Sequence, residues 1–419
     1  MIIIMVTALP IEVLESILNQ LADSKPDLHV CTLVCRLWAP RSRALLFHSL
    51  STCPSSPAHL SEPFLKTIHQ VQSSHLAFLV KSIKVDCCHV SELTRITFNT
   101  LRLEHLTRLW LCRSDFARFD RNICLTRALT SSLDTLILDR AVFKDSAQLL
   151  HFLSSPCFSN LHSLSLTNIS YLLRRDTSTR NPDWILRSWS ESTFLELPIS
   201  PKIMLKELEI GLIPDHNIFD ILYHSDSPFD WTCLQKITFY RIWDNGLIQG
   251  FLNGLLPALK CIELEKTEHM YHFASSGAFT GVIQNPFVLR NLTELSAAFA
   301  FVSSDFLFFE NVVKEIQNSS GSRLSTINLI LPIDLDGLDI HKAEPSARIL
   351  NGFTVISDLA SLPLLKRVSL IVPISTGTVE QKKSDVRNFI DSHSCTAGSI
   401  SVVFKQAVSE REPFSRLDL

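Results

Sequence analysis

Glycine is scarce in this chain, with 11 residues in 419. Loops that let a backbone approach a phosphate or a dinucleotide are built on glycine, so cofactor loops of that kind are not expected. The sequence also lacks a phosphate loop, a His-Glu-x-x-His, a Gly-x-Ser-x-Gly and a dinucleotide fingerprint. Charge is thin, at 19% of residues, and nearly balanced, with a net charge of -3 and a pI near 6.6. A basic footprint is therefore missing, which argues against general affinity for nucleic acid and against attraction to anionic membranes. The amino end reads Met-Ile-Ile-Ile-Met-Val before Pro10 and Glu12. It lacks the basic stretch and the longer apolar core of a secretory signal, so no leader is expected. The longest charge-free stretch, Ser146–Leu173, is interrupted by Pro156, Asn160, His162 and several serines. It reads as part of a soluble fold and not as a membrane span.

Cysteines number 11, an odd count with scattered spacing, unlike a secreted disulfide framework. Most lie beside apolar residues, as buried reduced thiols do. The compartment implied is reducing, cytoplasmic or nuclear. Cys31 and Cys35 are one helical turn apart, but no second Cys or His pair stands at finger spacing, so packing is the reading. Cys87-Cys88-His89 is the most reactive-looking cluster; on a strand adjacent residues face opposite ways, which argues against one shared site. No catalytic residue, metal ligand or cofactor is expected.

What is present in quantity is apolar material, 46% of the chain. That suffices for a large core and argues against disorder. The length suits two or three domains, or one elongated repeat domain with an appendage.

The amino-terminal segment is helical in pattern. Pro10 is tolerated in a first turn, Glu12 suits the positive end of the helix dipole, and Leu14, Ile17, Leu18 and Leu21 recur at helical spacing. Asp23-Ser24-Lys25-Pro26 breaks the helix, Asp27 reads as the N-cap of a second, and Leu28, Cys31, Val34 and Cys35 follow on one face. A third segment runs from about Pro40 to His48. By periodicity alone this could equally be a helical cap on the following domain.

The ordered set Leu9, Pro10, Glu12, Val13, Leu14, Ile17, Asp27, Leu28, Val34, Cys35, Arg36, Trp38, Leu46 and Phe47 resembles an F-box, with Val34-Cys35-Arg36-x-Trp38 its sharpest part. The resemblance covers residues 7–50. It implies a three-helix module docking a Skp-type adaptor, and through it a cullin scaffold, by way of Leu9, Pro10, Ile11, Leu14, Ile17, Leu18, Leu28, Val34, Trp38 and Leu46. So short a segment cannot bury all its apolar faces, and Leu9, Pro10, Ile11, Leu14, Ile17 and Trp38 are expected to leave an apolar surface. Burying five or six such side chains yields roughly 8–15 kcal/mol, against an association cost of about 4–15 kcal/mol.

Residues 51–75, rich in serine and proline at their start, read as a linker or crossing segment. Over 76–407 a unit of the form (apolar)-x-x-(apolar)-x-(apolar) recurs. Its first positions are Val80, Leu106, Leu133, Leu161, Leu205, Leu234, Leu259, Leu292, Leu324 and Leu365. Most steps are roughly 25–33 residues, near the range of leucine-rich repeats. Each alternating tail reads as a short strand with one buried face. Helix-like stretches at 146–153, 217–223, 244–256, 305–317 and 347–362 lie between them. The resemblance to leucine-rich repeats implies an α/β fold: a curved parallel sheet with helices on its convex side, an irregular solenoid. The asparagine or cysteine that usually follows the strand is missing, its place taken by Ser114, Ala141, Ile169, Ile213, Ile242 and Thr267. An ordinary α/β domain with irregular spacing is the alternative. Residues 378–392 read as a helix and 399–404 as a last strand, capping the stack.

The long step from Leu161 to Leu205 holds Arg174, Arg175, Trp184 and Trp189, residue types that anchor interfaces. Leu172–Phe194 is therefore the expected target-contacting loop; its bland reading is a surface excursion. The step from Leu324 to Leu365 holds Asp334, Asp336, Asp339 and Glu344 but lacks calcium-loop spacing and reads as a solvated acidic loop. The function implied by the two resemblances is that of a non-catalytic substrate-recognition subunit of a cullin-RING ubiquitin ligase, the repeats holding a target protein. A repeat scaffold without ubiquitin transfer is the alternative.

Overall fold

The fold is that of a computed structural model, which describes residues 10–22, 24–34, 36–51, 77–86, 105–117, 133–172, 202–211, 227–240, 259–265, 292–298, 303–318, 322–330, 347–374, 384 and 400–406. The chain divides into two compact units, Met1–Ile203 and Met204–Leu419.

The first unit opens with three helices packed together, α1 (Ile11–Gln20), α2 (Lys25–Val34) and α3 (Trp38–His48). The carbonyl of Pro10 accepts the N–H groups of Val13 and Leu14, both at 3.1 Å, which starts α1 without a side-chain cap. The second helix begins earlier than its pattern suggests. Ser24, not Asp27, precedes its first turn: the Ser24 hydroxyl donates to the Asp27 carboxylate, and Leu28 N–H donates to Ser24 O at 3.0 Å. Pro26 is no breaker here because a first-turn residue needs no N–H partner. The same rule lets α3 start at Trp38 with Pro40 inside its first turn. Leu14, Leu18 and Cys31 form the core of this module, with Leu21, Trp38 and Leu45 packed against it. Arg41 Nη2 donates to Asn19 Oδ1 at 2.7 Å and ties α3 to α1.

Helix α3 runs directly into β1 (Ser49–Ser51), which pairs in parallel with β2 (Ser82–Asp86). Lys25 Nζ donates to Ser49 O at 2.9 Å, and Lys81 N–H to His48 O at 3.0 Å. The helical module is thus built onto the first strand of the sheet. The expected linker 51–75, apart from Ser51, lies outside the described residues.

Beyond β2 come β3 (Arg108–Cys112), β4 (Thr135–Asp139), β5 (Val142–Phe143), β6 (Ser163–Thr167) and β7 (Ser170–Tyr171). The sheet of this unit has the order β1-β2-β3-β4-β6, all parallel, with β5 and β7 forming a second, two-stranded ladder. After the short β8 (Ile203–Met204), the second unit holds β9 (Glu207–Gly211), β10 (Phe229–Asp230), β11 (Lys236–Tyr240), β12 (Cys261–Glu265), β13 (Glu294–Ala298), β14 (Thr326–Ile330), β15 (Arg367–Ile374) and β16 (Ile400–Gln406). Its sheet runs β9-β11-β12-β13-β14-β15-β16, again parallel throughout. Strand order never reverses within either unit, which sets both apart from a doubly wound α/β sheet. Each is a parallel repeat stack. Parallel neighbours need a crossover. The described helical crossovers are α4 (Ser146–Leu153), α5 (Ser303–Asn318) and α6 (Ala347–Ser361), each within two residues of its sequence expectation. The helices expected at 217–223, 244–256 and 378–392 lie outside the described residues, apart from helical Ser384. The last strand, expected at 399–404, is β16.

The recurrent apolar positions are the core. In the first unit Ile83, Leu109, Leu136 and Leu164 stand in register across the sheet and are all buried. In the second, Leu208, Ile237, Ile262, Leu295, Ile327 and Val368 do the same. The leading residues are buried from Val80 through Leu324; Leu365 is half-buried, and Leu362 takes the inner place.

Backbone bonds ahead of each strand also tie successive repeats together. One carbonyl before each strand accepts two successive N–H groups from the next repeat. Lys81 O takes Thr107 and Arg108, Thr107 O takes Asp134 and Thr135, and Asp134 O takes His162 and Ser163, at 2.8–3.0 Å. In the second unit Lys206, Gln235, Lys260, Thr293 and Ser325 do likewise. After β3, β4 and β6 the chain turns through left-handed residues, Arg113, Arg140 and Asn168, at φ 50, 53 and 53°. Ser114, Ala141 and Ile169 then fall inside the core, their side chains too small or too apolar to serve as a polar ladder. Aromatic rings stack behind them: Phe116 and Phe143 lie 4.7 Å apart and nearly parallel, with Phe152 tilted against both. A capping box fixes α4 to this layer. Asp145 accepts Gln148 N–H at 2.8 Å, Gln148 Oε1 accepts Lys144 N–H at 2.7 Å, and Gln148 Nε2 reaches back to Phe116 O at 2.9 Å.

Candidate protein-docking surfaces

Helix α2 is apolar on two sides. At about 100° per residue, Leu28 and Cys31 lie on one face, and both are buried in the helical core. Val30, Leu33 and Val34 lie on the opposite face, and Leu37 extends it into the turn that follows. They are 59, 74, 58 and 52% exposed. A helix that only completed its own module would carry polar residues there. A second, smaller apolar surface surrounds the start of α1, where Pro10, Ile11 and Val13 are exposed.

The ten residues expected to contact an adaptor divide accordingly. Pro10, Ile11 and Val34 are exposed, while Ile17, Trp38 and Leu46 are half-buried. Leu14, Leu18 and Leu28 are interior, so the expectation that Leu14 stands on an open surface is corrected: it closes the α1–α3 core with Leu18 and Cys31. Leu9 lies outside the described residues. Val34 is likewise not on the face of Leu28 and Cys31, because six residues rotate a helix by about 240° from its start. The sequence reading missed Val30, Leu33 and Leu37. Their spacing was the available signal, an i, i+3, i+4, i+7 set offset by half a turn from the buried one.

The target-contacting loop, with Arg174, Arg175, Trp184 and Trp189, lies outside the described residues, as do Cys87-Cys88-His89 and Asp334–Glu344. The described repeats present their own candidate surface, the face of each sheet opposite the core. In the first unit this face carries Lys84, Trp110 and Ile137 side by side across three strands, with Arg108 on the same side of β3. The Lys84 ammonium sits 3.8 Å from the centre of the Trp110 ring, a cation–π contact. Alternation within Arg108-Leu109-Trp110-Leu111-Cys112 could have placed Trp110 outward from sequence alone.

In the second unit the corresponding face is acidic and paired with itself. Lys236 Nζ meets Glu263 Oε2 at 2.9 Å, Thr238 Oγ1 donates to Glu263 at 3.3 Å, and Asn328 Nδ2 donates to Glu294 Oε1 at 2.6 Å. Burial works against the Lys236 charge, but the Glu263 carboxylate outweighs it and holds its pKa above the usual lysine value. Cys261, between Lys236 and Glu294 in register, is pushed up to about 11, by burial first and then by Glu294. This thiol stays protonated at neutral pH and is a poor nucleophile. Its alkylation by iodoacetamide, followed by peptide mapping, should be slow at pH 8 and rise with a midpoint near 11; a midpoint near the ordinary 9.0 would contradict the packing described. Because the folded thiol holds its proton more tightly than the unfolded one, Cys261 contributes stability below pH 9.0 that is lost as pH climbs toward 11.

Among the described residues no group of three His, Cys, Asp or Glu side chains could hold a metal ion. Among them, too, no helix is long and apolar enough to cross a membrane. None of the five described cysteines forms a disulfide, and Cys31, Cys112 and Cys157 are buried. In comparison with known proteins, the sequence matches no protein-family model and no curated protein.

Proposed function

We propose that this chain is an adaptor-docking receptor of a ubiquitin ligase: its three-helix module is an F-box that binds a Skp-type adaptor, the adaptor bridges to a cullin, and the leucine-rich-repeat-like stacks hold a target protein. The chain itself contributes proximity, raising the local concentration of target lysines near the charged ubiquitin, and no covalent step. The observation that carries this reading is the second apolar face of α2. Three neighbouring side chains there, each more than half exposed, have no role in the module's own core. Covering each fully would contribute about 1.5–3 kcal/mol, enough to offset a substantial part of the cost of association. The ordered F-box-like residues supply the identity of the partner, and buried thiols outside any disulfide suit a reducing cytosol or nucleus.

The test is titration of the intact chain with a purified Skp-type adaptor by calorimetry. Saturable one-to-one binding is expected; absence of heat and of co-elution on gel filtration overturns the proposal. Binding without ubiquitin transfer to any captured protein would make the chain a scaffold instead.

A further inference from the structure

We propose that the open sheet face around Lys84, Arg108, Trp110 and Ile137 docks an acidic protein segment that presents carboxylates beside apolar side chains. The inference rests on the assignment of the repeats as the target-holding part, and it names the chemistry of the target.

Position brings these four residues together. Lys84, Trp110 and Ile137 occupy one row of adjacent parallel strands, and Arg108 lies two residues before Trp110 on the same face. Arg108 is exposed, and Lys84, Trp110 and Ile137 are half-buried, so the row can be reached from solvent. Within the row the charges are cationic, and the next row along the same face carries Asp86 and Asp139. Among the described residues neither Lys84 nor Arg108 forms an ion pair. The indole Nε1–H of Trp110 is buried and has no acceptor among the described residues. Two cations beside a tryptophan and an isoleucine suit a partner that brings negative charge next to apolar side chains. Asp139, which faces the same way one row further on, is already engaged by the Thr167 hydroxyl at 3.2 Å. The open face of the second unit makes the contrast, since its lysine and carboxylates satisfy one another.

A protein segment is favoured over nucleic acid because only two cations are offered, and the chain as a whole is net negative. Polyphosphate binding needs many more phosphate contacts to hold at physiological salt. A carboxylate-bearing segment needs only one or two charge-assisted bonds, and its apolar side chains gain from Trp110 and Ile137. A carboxylate pairing with Lys84 would draw the ammonium off the ring and leave the indole free to contact the segment.

The experiment uses the intact protein and a fluorescein-labelled peptide of alternating glutamate and leucine, followed by anisotropy. Its controls are the same peptide with glutamine for every glutamate, and a thymidine oligonucleotide of matching length. The glutamate peptide should bind about tenfold or more tighter than the glutamine peptide and weaken as salt rises. Lys84→Glu with Arg108→Glu should cost about tenfold or more, and Trp110→Ala should weaken binding by a clear margin, with circular dichroism unchanged. Equal affinity for the two peptides, no binding, indifference to the double charge reversal, or preference for the oligonucleotide would each overturn the proposal. Failure of the ligase reading is separable. A chain that binds the glutamate peptide but no adaptor loses the ligase assignment and keeps this site, whereas a chain that binds adaptor but not the peptide loses the site alone.

Discussion

Replacing Leu33 and Val34 together with aspartate should weaken adaptor binding at least a hundredfold, with helix content and thermal midpoint of the free chain little changed. Both side chains are free of the module's own core, so the folded state loses almost nothing when they become polar. In the complex the loss is double. The apolar contribution of two side chains disappears, about 3–6 kcal/mol at most, and two carboxylates would have to be buried without partners. A hundredfold is about 2.7 kcal/mol, well inside that range. Calorimetry against a purified Skp-type adaptor checks it. Retained affinity in a folded double variant would remove the outer face of α2 from the interface and with it the main support for the ligase reading. Leu14→Asp could not serve the same purpose. Leu14 is 1% exposed, and a buried carboxylate there would unfold the helices and abolish binding by any mechanism.

The second large effect is on stability. Phe143→Ala should cost about 3–5 kcal/mol, the range for truncating a buried aromatic side chain. Its ring is fully buried, stacks on Phe116 and touches Phe152, so truncation empties space shared by two successive repeats and α4. Repeats are held by their neighbours, so the damage should spread along the stack. Amides of β5 and β7, which pair with each other, should lose hydrogen-exchange protection first. Urea denaturation of the intact chain measures the total, and Phe143→Leu should recover more than half of it. A cost below about 1 kcal/mol for Phe143→Ala would mean that the ring stack is not a core element.

Both effects turn on a distinction between pattern and placement. The recurrent apolar triplets located nearly every described strand of the main sheet in each unit, because alternation at a period of two demands one buried face wherever it occurs. Leu109 and Leu111, or Ile327 and Leu329, could hardly sit elsewhere. Helix α4 was legible to the residue, since Asp145 and Gln148 form a capping pair written in local sequence. The start of α2 was not. Ser24 and Asp27 are both good caps, and only the placement of Leu28 against the helical core selects the earlier one. The absence of an asparagine ladder was visible, but the backbone bonds ahead of each strand were not, because carbonyls that accept two N–H groups come from backbone geometry and leave no trace in side-chain identity.

Sequence alone therefore determined that three short helices precede a run of one-strand repeats, and which apolar positions line each strand. Those features follow from local periodicity, which every backbone conformation must respect. Tertiary structure alone decided that α3 passes directly into β1, that Leu14, Leu18 and Leu28 are interior while Val30, Leu33 and Val34 face solvent, and that Lys84, Trp110 and Ile137 share a row. Which of two apolar faces is covered depends on what packs against it, and strands far apart in sequence become neighbours only when the repeats stack.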